Sequence, residues 1–322
     1  MRNFAHVSAR TLDEAVAALR RYGKRAVLIA GGTDLLGKMK DEILPDYPEA
    51  LVNIKTIPGL DFITVEDGAL KIGALTRLED IATDEAVKAG YPGLAEATAR
   101  TASAHLREMG TIGGNICQDI RCWYYRNPNN RFPCLRKGGG RCYALDGDNR
   151  YHSIFGGSVE EGCCAVHPSD VAPALIALDA TIKTTRRTVK AEDFFQVSVA
   201  GTTILDHDEI VTEVQVPKPA GRSAFVKFAL RKTIDFPIVN CASMIALSGK
   251  KVSSARICLN AVYVRPYRAA KAEAALLGRT ISEANAEAAA AAAAADARPM
   301  SHNAYMVPLA KAMIKRAVLG CM

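Results

Sequence analysis

Between positions 117 and 164 the chain places six of its nine cysteines, Cys117, Cys122, Cys134, Cys142, Cys163 and Cys164, in a stretch with little else from which to build a core. The segments RNPNNRFP, RKGGGR and LDGDNR are dense in Pro, Gly, Asn and charge, the composition of loops. Fixing one residue's backbone costs about 1–2 kcal/mol, and a long loop that buries little apolar area must recover this from another source. A metal centre would supply it. The gaps Cys122 to Cys134 to Cys142 to Cys163 contain 11, 7 and 20 residues, unlike the paired short knuckles of structural zinc. Four thiolates from an irregular loop also suit an iron–sulfur cluster, in which each iron of a cubane takes one cysteine. Spacing alone leaves iron–sulfur, zinc and unligated or redox-reactive thiols open. Cys241 and Cys258 lie in apolar strand-like runs and read as small buried hydrophobes, and Cys321 stands apart.

The remaining composition bounds the class. At 322 residues, 49% hydrophobic and 23% charged, the chain can bury a core across two domains and lacks the polar excess of a disordered protein. Its apolar runs, such as 26–30 and 171–178, are far shorter than the roughly 20 residues that cross a bilayer. The start, MRNFAHVSARTLDEAV, has no apolar segment of signal-peptide type, so a cytoplasmic location is expected unless a partner carries an export signal for both. Reduced thiols then replace a disulfide framework. Over half of the net charge of +7 falls between Gln118 and Arg150, which hold seven basic residues against three acidic ones. Few aromatics and no reader motif accompany these charges, so nucleic-acid binding is not expected.

Two glycine pairs stand out. The β-branched run before AGGTDLLGKMK reads as strand, tight turn and helix, with Leu35, Leu36 and Met39 on one helix face. Gly31 and Gly32 have no side chains, which lets peptide N–H groups approach a phosphate. The pattern is neither GxGxxG nor a P-loop, so neither NAD in a Rossmann fold nor ATP at a Walker site is indicated. A second pair, Gly113 and Gly114 in TIGGN, follows the helical stretch PGLAEATARTASAHLREMG. Two such turns predict loops converging on a dinucleotide diphosphate, or else two unrelated turns.

The pattern predicts a strand at 51–54, a hairpin of 62–65 with 70–72 across Asp67-Gly68, and helix over 76–89. A helix then opens at Pro168-Ser169-Asp170 with Ser169 or Asp170 as cap, and a strand follows at 181–185. Beyond PKPAGR, a meander near 224–230, 238–247 and 255–264 is followed by helices, forming a second α+β unit. Residues 282–297, with eight consecutive alanines, predict a surface helix without functional meaning, and 303–319 a closing helix.

AGGTDLL, IGALTRLEDI, TIGGN, SDVAPALIALDA, EIVTEVQVP and FVKFALRK occur in this order, and together they resemble the FAD-binding medium subunit of the molybdenum hydroxylases, the xanthine dehydrogenase family. The resemblance spans essentially the whole chain. It implies an α+β protein with a two-part PCMH-type FAD-binding domain over 1–217 and a C-terminal antiparallel sheet packed with helices over 218–322. About fifty residues after TIGGN, at 117–167, are an insertion in family terms. Its CQDIRCWYY resembles the beta subunit of 4-hydroxybenzoyl-CoA reductase, and a related insertion occurs in bacterial molybdenum-dependent aldehyde oxidoreductases. This implies a 4Fe-4S cluster on Cys122, Cys134, Cys142 and Cys163, with Cys164 as chief rival for the fourth place and Cys117 a weaker one.

For the flavin the resemblance implies contacts from Ile29, Ala30, Gly31, Gly32, Thr33, Asp34, Leu35 and Leu36, and from Thr111, Gly113, Gly114 and Asn115, mostly through main-chain N–H groups. It adds Thr101, Gln118, Asp170 at the adenosine end, Val211 packing on the ligand, and Lys227 as a nearby cation. No catalytic side chain is expected, because electron transfer needs placed cofactors. The implied complex is a dimer of heterotrimers with a large molybdenum-cofactor subunit, a small 2Fe-2S subunit and an external carrier such as ferredoxin. An aryl-CoA reductase is the first expectation, and an aldehyde or purine dehydrogenase the second. A zinc-stabilised interaction protein without flavin, or a self-sufficient flavin oxidase, are the readings from other classes.

Overall fold

A computed structural model describes residues 1–157, 163–196, 199 and 201–322. Residues 158–162 of the expected insertion lie outside them. Three sheets carry the architecture. The first is parallel, with β1 (Ala5–Ser8) and β2 (Ala26–Ile29) flanking β3 (Ala50–Asn53). The helix Leu12–Tyr22 connects β1 to β2, with Thr11 accepting from Glu14 N as its cap. Its apolar stripe joins Ala15, Ala18 and Leu19 to Val52 and Ile54 in one core.

The second sheet is antiparallel, in the order β4 (Ile63–Glu66), β5 (Ala69–Gly73), β8 (Val211–Pro217), β6 (Thr181–Thr184), β7 (Thr188–Lys190). Asp67 (φ 52°) and Gly68 (φ 76°) turn β4 into β5 in the left-handed region that a tight hairpin requires. The third sheet, in the order β12 (Tyr267–Arg268), β11 (Lys251–Asn260), β10 (Val239–Ser248), β9 (Arg222–Phe228), is the predicted meander. The entirely buried helix Val171–Ala177 packs between the second and third sheets and fuses their cores.

Four local expectations change. The helix over 76–89 is two helices, Leu78–Thr83 and Glu85–Gly90, because Asp84 leaves helical geometry to cap the second through Val87 N. The stretch before TIGGN also breaks, into Pro92–Ala99 and Ala104–Arg107, at Ala102 with φ 49°. Thr101 therefore sits in the break rather than in a helix. TIGGN is no turn either: Thr111 caps the helix Ile112–Ile116, and both glycines lie within it. The alanine-rich helix, Glu283–Ala294, is more than a surface element: Glu287, Ala288 and Ala291 are exposed, but Ala286, Ala289, Ala290 and Ala293 are buried against the helices Ala270–Leu276 and Met306–Leu319. Alanine on every face hides that packing from hydropathy, while its small size permits close helix approach. Cys241 and Cys258 are wholly buried in the strands, as the sequence predicts.

The insertion begins and ends at one antiparallel bridge, where Arg121 N donates to Val166 O (3.0 Å) and Val166 N to Arg121 O (3.4 Å). Within it the described residues form two short 3-10 turns, Pro128–Asn130 and Leu135–Lys137, and no strand. The C-terminal unit pins the loop: Ile154 N donates to Val262 O, and Asn303 Nδ2 donates to the carbonyls of His152 and Ser153.

Candidate functional site: a glycine-walled cleft beside a cysteine-lined loop

A cleft of about 360 Å³ runs between the first sheet, the helix Ile112–Ile116 and the loop 231–236. The residues 31–34 form one wall after β2. Gly32 has φ 72°, closed to most side chains. A Cβ on Gly31 would lie 1.9 Å from the Met109 carbonyl oxygen, so this glycine is needed where two loops touch. The main-chain N–H groups of Gly31, Gly32, Thr33 and Asp34 donate to no acceptor among the described residues. Four successive unpaired amides at a cleft wall are anion-seeking.

The second glycine pair differs. Ile112 N donates to Thr76 O, Gly113 N to Ala74 O, Gly114 N to Thr111 Oγ1 and Asn115 N to Thr111 O. Its amides are therefore committed inside the protein, and the expectation that both loops offer main-chain donors is corrected to one loop. Gly113 serves close packing, since its Cβ would lie 2.8 Å from Ala74 O.

All the flavin residues expected from the resemblance line this cleft except Leu36 and Lys227. Leu36 packs instead beside Ile29 and Met39. Lys227 Nζ donates to Asp170 Oδ2 (2.7 Å) and to Arg100 O, while Asn240 Nδ2 holds Asp170 Oδ1 (2.7 Å). Both Lys227 and Asp170 side chains are only 4% exposed. Lys227 is thus the buried counter-ion of Asp170 and reaches the cleft only through it. Burial raises the Asp170 pKa, against the lowering pull of Lys227. Of the two possible caps, Ser169 does the capping, accepting from Ala172 N. Gln118 Nε2 donates to Asn115 O, and Thr101 Oγ1 to Ala97 O.

Asp34 faces the insertion as well as the cleft. Its carboxylate accepts from Arg121 (3.0 Å), Arg126 (2.8 Å) and Asp119 N (3.1 Å). Asp119 in turn pairs with Lys38 (3.2 Å) and accepts from the Tyr125 hydroxyl. Burial works to raise both carboxyls, but Arg126 and Lys38 hold each below its ordinary value. The residue that ends the first glycine turn therefore straps the cysteine loop to the cleft.

Sequence reasoning missed the loop 231–236. Ile234 N donates to Ala102 O, and Phe236 lies over the Arg121 guanidinium at 4.0 Å, so both reach the cleft from the C-terminal unit. The signal was thin: a short TIDF after Arg231-Lys232 and before Pro237, with Ile234 at φ 66°.

The insertion gathers its thiols. Cys134, Cys163 and Cys122 share an apolar cluster with Ile43, Ile120 and Tyr125, and Cys142 and Cys164 share the adjoining one. Cys117 is exposed and lines the neighbouring cleft instead. Cys122 Sγ is 3.2 Å from His152 Nε2, and Cys163 Sγ accepts from Ala165 N. Burial pushes the Cys122 thiol up to about 12, whereas a hydrogen bond from Cys164 draws Cys142 down to about 6. Cys164 Sγ also lies 2.6 Å from Gly157 O, so its one proton serves either that carbonyl or Cys142. Among the described residues no three His, Cys, Asp or Glu side chains stand close enough to hold a single metal ion. No described helix is long and apolar enough to cross a membrane.

Comparison with known proteins fits this geometry. Residues 2–219 match the family described as the FAD binding domain in molybdopterin dehydrogenase, and 224–321 match the CO dehydrogenase flavoprotein C-terminal domain. The aldehyde oxidoreductase FAD-binding subunit PaoB of Escherichia coli K12 is 34% identical, over 97% of this chain and 96% of its own. The carbon monoxide dehydrogenase medium chain of Hydrogenophaga pseudoflava is 31% identical, over 98% and 96%. The solved structure of carbon monoxide dehydrogenase from that organism superposes with a TM-score of 0.79 at 30% identity, covering 99% of this chain and 97% of the other. This chain belongs to the family of FAD-binding subunits of the molybdenum-dependent hydroxylases and dehydrogenases.

Proposed function

We propose that the chain is the FAD and 4Fe-4S electron-transfer subunit of an aldehyde-oxidoreductase-type molybdenum enzyme. Its partners would be a large molybdenum-cofactor subunit and a small 2Fe-2S subunit, with the organic substrate bound elsewhere. The run of unpaired amides at Gly31 to Asp34 carries the flavin half of this reading, because a dinucleotide diphosphate satisfies them. The FAD division falls near residues 217–218. Bound FAD supplies exchange between one- and two-electron carriers. The chain's own residues hold the diphosphate at 31–34, line the cleft with Val211, Thr101 and Asp170, and close it with Phe236.

Four thiols suit a cluster, with Cys122, Cys134, Cys142 and Cys163 as ligands and Cys164 in contact with Cys142. Cys122, Cys134 and Cys163 share one apolar cluster and Cys142 lies in another with Cys164, so a single loop brings together the four thiolates that a cubane takes. Aldehyde chemistry is favoured over aryl-CoA reduction because the 34% identical relative is an aldehyde oxidoreductase subunit. None of the relatives named above is an aryl-CoA reductase. Family membership also weighs against the flavin-free zinc scaffold.

Anaerobically purified protein should show flavin bands with a broad shoulder near 400 nm, and about four iron and four sulfide per chain, from the cubane stoichiometry. Cys134→Ser should lose the iron and keep FAD. Flavin without iron in the wild-type protein would overturn the cluster, and a colourless zinc protein would overturn both halves.

A further inference from the structure

Lys137 is the one lysine whose amine is buried without a hydrogen-bond acceptor among the described residues. It closes the 3-10 turn that starts directly after Cys134, its N–H donates to Cys134 O (2.8 Å), and Gly138 at φ 78° ends the turn. The residue is 8% exposed. Its ammonium stands 5.6 Å from the centroid of the Tyr125 ring. The carboxylate beyond that ring, Asp119, is already paired with Lys38 and the Tyr125 hydroxyl. The neighbouring guanidinium, Arg136, hydrogen-bonds Cys163, and His152 stands against Cys122. The Tyr125 ring on which the ammonium rests packs in the same apolar cluster as Cys122, Cys134 and Cys163.

Burying an ammonium without an anion is costly, and a flexible four-carbon stem ordinarily carries the charge to water. Here the stem carries it inward, over the Tyr125 ring that packs with the cysteines. We infer that Lys137 is a positioning cation for the iron–sulfur centre, compensating the negative charge of the cysteine-held group and favouring its reduced form. The inference rests on the cluster reading given above. Each electron accepted adds one negative charge to a centre already bound by thiolates, and a fixed buried cation stabilises the more negative state. A purely structural role, a cation resting on Tyr125, would leave that balance unmoved.

The test is an anaerobic potentiometric titration of the full-length protein with the subunits that co-purify, reading the reduced cubane by electron paramagnetic resonance and the flavin by absorbance. In Lys137→Gln, iron and sulfide stay at wild-type levels. At the wild-type midpoint the ratio of reduced to oxidised cluster falls about tenfold, a shift of about 59 mV for a one-electron couple. Lys137→Arg holds the wild-type potential, and the flavin potential is the same in all three proteins. An unchanged cluster potential in Lys137→Gln with iron retained overturns the inference and leaves the cluster standing. Wild-type protein without iron overturns the cluster and the inference together. Should Lys137→Gln lose its iron, Lys137→Arg decides: retention at the wild-type potential supports a charge requirement, and loss there too overturns it.

Discussion

The flavin cleft and the cysteine loop are adjacent but built on opposite plans. In the cleft, the polar side chains are matched within the protein: Asp170 by Lys227 and Asn240, and Thr111 by Gly114 N. What is left over is main chain, the amides of 31–34, together with one guanidinium nitrogen, Arg121 Nε, at the seam with the loop. In the loop, the main chain is tied down at its base and along the C-terminal unit, while side-chain atoms lack partners among the described residues, including Lys137 Nζ, Asn130 Oδ1 and His152 Nδ1. Buried polar groups are rarely left unmatched in folded proteins. The cleft is therefore formed before its ligand arrives and presents a backbone grip, whereas the loop has an interior that a bound group would complete.

The largest expected effect tests the self-sufficiency of the cleft. Lys227→Met strands a buried carboxylate and should cost about 3–5 kcal/mol of stability at neutral pH. The loss shrinks in acid, because protonating Asp170 removes the stranded charge. Chemical denaturation at pH 7 and pH 4 measures this, and an equal loss at both would show that the pair is not what the substitution breaks.

The strap between the regions comes next. Asp34→Asn should cost about 1–3 kcal/mol, by leaving Arg121 and Arg126 poorly matched. Asp34 has a folded pKa below its ordinary 3.8, so its contribution is fully present above that value and lost as pH falls through the lowered one. The gap between wild type and variant should thus close on acidification from pH 5 toward pH 2. If the strap is real, limited proteolysis within 121–157 also quickens in the variant at neutral pH.

The smallest effect separates the two glycine pairs. Gly114→Ala meets only Thr111 Oγ1, at 3.1 Å, inside a helix where alanine is favoured by about 1 kcal/mol, so stability and FAD content should change little. Gly31→Ala collides with a backbone carbonyl and should lower FAD content at a stability cost of about 1–3 kcal/mol. Equal flavin loss in both would restore symmetric roles to the pairs.

How much was legible follows the same division. Strands with alternating or β-branched patterns, the Asp67-Gly68 hairpin and the C-terminal meander were readable because local chemistry alone decides them. The breaks at Asp84 and Ala102 were not: nothing local distinguishes Asp84 as a cap from Asp80 within a helix, and an alanine at φ 49° is imposed by packing. At the site, AGGTD was legible as a turn, but the engagement of Asp34 with Arg121 and Arg126 joins residues 87 and 92 positions away. Lys227 read as a cation near the ligand, and only its burial shows that its charge is spent on Asp170. Phe236 and Ile234 arrive from another domain with no pattern to announce them.

The single bridge between Arg121 and Val166 sets how the loop relates to the rest of the chain. Its two ends leave the scaffold side by side, so a short turn could span them without re-routing any strand. Replacing 122–165 by a tight turn should then leave the three sheets and the cleft intact.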